Sequence, residues 1–104
     1  MDNNYCVIIT TTNENNAKIL ADNLVVNKLA ACVQMIKMNS VYEWEGKICH
    51  DDEVLMLIKT RSKLFDDCCK SIKSLHDYDV PEIIKLNIDD GNEEYLKWIS
   101  TQTK

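Results

Sequence analysis

The sequence predicts an α+β fold, a ferredoxin-like βαββαβ sandwich with an extra C-terminal helix and a long β-hairpin. Three observations predict it. β-branched runs and helix-periodic stretches follow one another in that order, a Glu45-Gly46 turn joins two long strands, and no repeat or linker divides the 104 residues. A chain of this length makes one domain, residues 1–104.

Tyr5 to Thr11 is β-branched and apolar, the content of a buried strand. Thr11 and Glu14 have capping-box spacing. Ala17, Leu20, Ala21, Leu24 and Val25 then recur at intervals of three and four, which predicts a helix over 14–28. A second strand is expected from Ala31 to Ile36, bending between Lys37 and Ser40 and resuming over Val41 to Trp44. Tyr42, Trp44 and Ile48 alternate across the Glu45-Gly46 hairpin turn. The descending arm, Glu53 to Thr60, is apolar on both faces at its centre, as in a central strand covered on both sides. Arms this long project beyond a small core and expose Tyr42 and Trp44, so both aromatics are expected at a contact between copies.

Ser62 is expected to cap a second helix whose inner face is Leu64, Phe65, Cys68, Ile72 and Leu75. Pro81 breaks the helical pattern after His76. Glu82 to Ile88 supplies the fourth strand. Asn92 caps a last helix with Tyr95, Leu96, Trp98 and Ile99 on its apolar side. This order places the helices on one face of an antiparallel sheet. The other face, built from apolar strands, then calls for cover by assembly.

Charge and motif content exclude several functions. The net charge is −5, from 12 Lys plus Arg against 17 Asp plus Glu, and no two basic residues are adjacent, so nucleic-acid binding is not expected. The strand Val54 to Ile58 is aliphatic and lacks the stacking aromatics of an RNA-recognition module. Gly46 and Gly91 are the only glycines, which excludes a phosphate-cradling loop, and neither G-x-S-x-G nor H-E-x-x-H occurs. With no nucleophile–base pair in view, a non-enzymatic protein is expected. No apolar run approaches the roughly 20 residues that cross a bilayer, and Met1-Asp2-Asn3-Asn4 has no basic region ahead of an apolar one. Neither a membrane nor a secretory signal is expected. The five cysteines are odd in number and lack C-x-x-C spacing, which fits reduced thiols in a cytoplasmic setting.

The remaining chemistry lies between His76 and Glu82. His76, Asp77, Asp79 and Glu82 group an imidazole and three carboxylates around Pro81, a donor set suited to Cu(II) or Zn(II). The same residues also read as an exposed polar connection between helix and strand. His50 beside Asp51 and Asp52 is a second, weaker candidate.

The chain resembles the CutA family of divalent-cation tolerance proteins. The resemblance rests on Lys28-Leu29-Ala30-Ala31-Cys32, Tyr42-Glu43-Trp44-Glu45-Gly46-Lys47-Ile48, Leu57-Ile58-Lys59-Thr60-Arg61, Tyr78-Asp79-Val80-Pro81-Glu82-Ile83-Ile84 and Gly91-Asn92-Glu93-Glu94-Tyr95-Leu96-Lys97-Trp98, in the family's order. It implies a homotrimer whose hairpin arms extend neighbouring sheets, and a role in divalent-cation, notably copper, tolerance. Carried over by position, the family's copper-binding cysteine falls on Ile9, its histidine on Leu75 and its glutamate on Glu82. Only Glu82 matches. His76 stands one residue beyond the histidine position. Cys6 stands three before the cysteine position, about 10 Å along a strand and on its opposite face. The implied metal site is therefore His76 with Glu82, holding Cu(II) or another divalent cation weakly, with no cofactor required. The likeness to PII-type signalling proteins implies an alternative, an adaptor binding a small ligand or partner segment between subunits, with Lys59, Arg61 and Tyr78 in the cleft.

Overall fold

The structure, a computed structural model, describes residues 4–104. The N-terminal reading from Met1, Asp2 and Asn3 falls outside them. The elements run β1 (Tyr5–Thr12), α1 (Glu14–Val26), β2 (Cys32–Trp44), β3 (Lys47–Arg61), α2 (Phe65–Leu75), β4 (Ile83–Ile88) and α3 (Glu93–Gln102). The sheet order is β2-β3-β1-β4 with every pairing antiparallel, which is the predicted architecture.

Alternation along each strand sorts its residues between two faces. On one face, Cys6 and Ile8 of β1 and Val54, Met56 and Ile58 of β3 pack with Ala17, Leu20 and Leu24 of α1 and Cys68 and Ile72 of α2. Burial pushes the Cys68 thiol up to about 12, so this sulfur behaves as a packed apolar group that also donates to the Leu29 carbonyl. The opposite face carries Val7 and Ile9, Leu55 and Leu57, and Ile84 and Leu86 in neighbouring rows. Contrary to the expectation that all helices share one face, α3 packs here and covers one end, where the Tyr5 and Ser100 hydroxyls lie 2.7 Å apart and Arg61 Nε donates to Thr103 Oγ1 at 3.0 Å. Ile84 and Leu86 are left about half exposed.

Local chemistry corrects four expectations. Thr11 and Thr12 still pair with Leu55 and Val54, so the cap of α1 falls to Asn13, whose side chain accepts from Asn16 N–H at 2.8 Å. α1 ends at Val26 rather than Lys28, because Lys28 takes a left-handed φ of 60°. β2 has no bend, since Lys37 to Ser40 pair one for one with Val54 to Asp51. Ser62 does not cap α2. It opens a 3-10 turn, Ser62–Leu64, its N–H bonded to the Asn4 carbonyl, and Leu64 occupies the cap position without a side-chain bond.

The apolar faces are also narrower than periodicity implied. Leu75 is exposed, and of the apolar residues of α3 only Ile99 is fully buried, while Tyr95 and Trp98 stack on each other at 5.6 Å. Asn92 caps α3 as expected, accepting from Glu94 N–H at 3.0 Å. Glu45 and Gly46 take positive φ of 50° and 78°, the hand that a two-residue hairpin needs to match strand twist. Beyond the end of β1 the hairpin continues as a free two-stranded arm, and the molecule's longest extent is 48 Å.

Candidate functional site

α2 stops at Leu75, and His76 swings into extended backbone with its N–H still bonded to the Ile72 carbonyl at 2.8 Å. Both ring nitrogens are engaged. Nε2 lies 2.9 Å from the Thr11 carbonyl, which can only accept, and Nδ1 receives the Tyr78 backbone N–H at 3.0 Å. Those two partners fix the tautomer protonated at Nε2. Asp77 is held by the Asn13 side-chain amide at 2.6 Å, which ties the connection to the start of α1. Asn16 adds a second tie, donating to the Leu75 carbonyl at 2.9 Å.

So anchored, the connection lays Tyr78, Asp79, Val80 and Glu82 against the arm. They face Tyr42, Trp44, Asp51 and Glu53 across a cavity of about 480 Å³, with Thr11 at its floor. The strand register explains the arm's contribution. Asp51 and Glu53 share a face with Leu55 on β3, and Tyr42 and Trp44 share that face on β2. Tyr42 donates its hydroxyl to Asp51, and Tyr78 donates to Glu53 at 2.7 Å. Asp79 and Glu82 have no hydrogen-bond or ion-pair partner among the described residues, and no Lys or Arg lines the cavity.

Both phenols are held protonated. The hydrogen bond to Asp51, with smaller contributions from desolvation and the nearby negative charges, pushes Tyr42 up to about 12. Burial first, and then the bond to Glu53, raises Tyr78 above the ordinary phenol range. A raised value means that the folded chain holds the proton more tightly than the unfolded one. The stabilisation from Tyr42 is therefore complete below its ordinary value of 10.0 and is lost as pH rises through about 12. A tyrosinate absorbance titration should show this late ionisation, and Asp51→Asn should bring it back toward the ordinary value.

The residues singled out from the sequence are only partly brought together. Glu82 lines the cavity, whereas His76 is not among its lining residues: its ring bonds to the Thr11 carbonyl and packs on Tyr78 at 4.8 Å between centroids. Lys59 and Arg61 lie at the other end of β3 under α3, with Lys59 Nζ 5.3 Å from the Tyr95 ring centre. One chain alone therefore does not place them with Tyr78. His50 and Asp52 point to the opposite face of the arm from Asp51, so the second candidate cluster is split. Among the described residues, no three His, Cys, Asp or Glu side chains are grouped closely enough to hold a metal ion. Asp51 and Glu53 were missed as cavity residues. Their i, i+2 spacing was visible, but the connection that faces them is 25 positions from Glu53.

Fold and cavity define a ferredoxin-like α+β domain with an acidic, aromatic-walled cleft along its hairpin arm. Residues 5–102 match the family model described as CutA1 divalent ion tolerance protein. The chain belongs to that family. It is 43% identical over 99 residues to the chloroplastic protein CutA of Arabidopsis thaliana, covering 94% of this chain and 54% of the relative. It is 42% identical over 98 residues to the divalent-cation tolerance protein CutA of Thermus thermophilus, covering 93% and 95% of the two chains. The chain thus spans about half the length of its plant relative and nearly all of the bacterial one. The crystal structure of CutA1 from Oryza sativa superposes with a TM-score of 0.94 at 43% identity, covering 97% of this chain and 94% of that one.

Proposed function

We propose that this chain is a non-enzymatic divalent-cation tolerance protein that works as a homotrimer and binds Cu(II) or another divalent cation weakly through Glu82, joined by His76. The observation that carries the metal reading is the acidic cavity. Its walls carry the Glu82 carboxylate and three others, spread around the space with no basic residue among them to neutralise them. Weakness follows from the ligand count and from His76. Its Nδ1 must give up the Tyr78 N–H, or its Nε2 must lose its proton and release the Thr11 carbonyl, before either can coordinate.

The trimer reading draws on the half-exposed apolar sheet face and on Tyr42 and Trp44, which the arm leaves open to a neighbour. The five cysteines are free thiols, which fits a reducing compartment such as the cytoplasm. The Arabidopsis relative is named for the chloroplast. No helix among the described residues is long and apolar enough to cross a membrane.

Cu(II) titration of untagged protein tests the site. Glu82→Ala should weaken binding by about tenfold or more, and His76→Ala should weaken it by a smaller factor. Equal affinity in wild type and both variants would remove this pair as ligands.

A further inference from the structure

Two thiols occupy one part of the core, on the helix side of the sheet. Cys6 of β1 and Cys68 of α2 are both fully buried there. The Leu29 carbonyl fixes their relation. It accepts from Cys68 Sγ at 3.4 Å and from Thr60 Oγ1 at 2.6 Å, so that sulfur and that hydroxyl are neighbours. Thr60 is in turn the cross-strand partner of Cys6, and directly opposed side chains on one face hold their Cβ atoms about 5 Å apart. Cys6 and Cys68 therefore share one pocket, and negative charge on Cys6 opposes ionisation of Cys68.

The two sulfurs are not equivalent. Burial raises the Cys6 thiol, but the Ser62 hydroxyl and the Lys85 ammonium oppose that rise. Cys68 has no such support, and burial followed by the charge of Cys6 pushes it up to about 12. Cys6 is the better nucleophile of the pair, and Cys68 stands where a resolving thiol is needed. Neither reaches solvent in the closed fold. Cys68 lies in the first turn of α2, however, and that helix begins without a side-chain cap, so its start is a place where local opening can admit a small oxidant.

We propose that Cys6 and Cys68 form a reversible dithiol–disulfide latch, closed by a hydroperoxide. With hydrogen peroxide, the Cys6 sulfur attacks one oxygen and the O–O bond breaks. The thiol proton leaves with the other oxygen as water, and Cys6 becomes a sulfenic acid. As α2 closes again, the Cys68 sulfur attacks the Cys6 sulfur, the S–O bond breaks, and the Cys68 proton leaves with the hydroxyl as a second water. Two thiols lose two electrons and the peroxide gains them. The pocket lies within one chain and on the side of the sheet away from its open face, so assembly leaves it in place. α2 runs directly into the connection from His76 to Glu82, and the closed latch pins the helix that carries it.

Hydrogen peroxide added to the intact, reduced protein tests this, read by peptide mapping without reductant. A peptide pair linked through Cys6 should appear, the chain should lose the mass of two hydrogens, and dithiothreitol should reverse both changes. Cys69→Ser should keep the link. Cys68→Ala should lose it and leave Cys6 as an oxidised acid. Urea below the unfolding midpoint should speed linkage about threefold or more, because opening of α2 limits the reaction. Oxidation confined to Cys32, Cys49 and Cys69, with Cys6 still a free thiol, would overturn the proposal. So would a link from Cys6 to Cys69 or to another chain. The wild-type map needs no substitution, so a variant that fails to fold does not remove the test.

Discussion

Ile84→Lys is expected to convert an assembly of about 36 kDa into single chains of 12.0 kDa. Ile84 is 47% exposed in the isolated chain and sits on the open sheet face, paired with Ile9 beside the Val7–Leu86 row. A lysine there costs the single chain little, because its ammonium reaches water. Once another copy covers that face, the same ammonium must be desolvated without a partner, at a cost of several kcal/mol for each interface. Val26→Lys is the control, since Val26 is exposed on α1, which packs on the opposite face of the sheet, and the substitution should leave assembly intact. Sedimentation at low micromolar concentration reads both. A 12.0 kDa wild type, or an Ile84→Lys protein that still assembles, would refute the trimer.

The second large effect lies in the core. Ile8 is fully buried in β1 and paired with Ile58 on one side and Lys85 on the other. Ile8→Ala should destabilise by about 4 kcal/mol, through lost transfer energy and a cavity that the rigid central strand cannot collapse. Two positions along, the Thr10 hydroxyl is buried with no hydrogen-bond partner. Thr10→Val removes that unsatisfied group at similar shape and should stabilise by about 1 kcal/mol. Urea unfolding at one protein concentration separates the two, because the signs are opposite on one strand. A neutral Ile8→Ala would mean that β1 does not carry the core.

The sheet was legible because its signals are local and redundant. β-branched content marked β1 and β4, and Glu45-Gly46 set the hairpin turn, where the backbone does take the left-handed hand. The misreadings share one cause, which is that tertiary pairing outweighed a local preference. Thr11 has the composition of a helix cap but is claimed by its ladder partner Leu55, and Ser62 is claimed by the Asn4 carbonyl. Lys37 to Ser40 look like a bend because Lys37, Asn39 and Ser40 are polar, yet the exposed part of the hairpin tolerates polar residues in its ladder. The candidate site was half legible. Glu82 and Tyr78 stood out beside Pro81, but Asp51 and Glu53 join them only through the register of β2 on β3 and the tie from Asp77 to Asn13. His76 was visible as a residue type. Its occupied nitrogens could be known only from the Thr11 carbonyl and the Tyr78 N–H.

The placement of β1 also governs when this protein can fold. The first strand lies between β3 and β4, paired at Tyr5 with both Arg61 and Ile88. It therefore waits for partners made more than 40 and more than 70 positions later, and the loops to be closed are long for a domain of this size. The β2–β3 hairpin, whose strands meet across a two-residue turn, can form while the chain is still being synthesised. A nascent chain thus carries an aromatic-tipped ribbon with open edges before its sheet can close. Translation in closely spaced polysomes, where many such ribbons are held near one another, is the stage at which pairing between wrong copies competes with pairing within the right one.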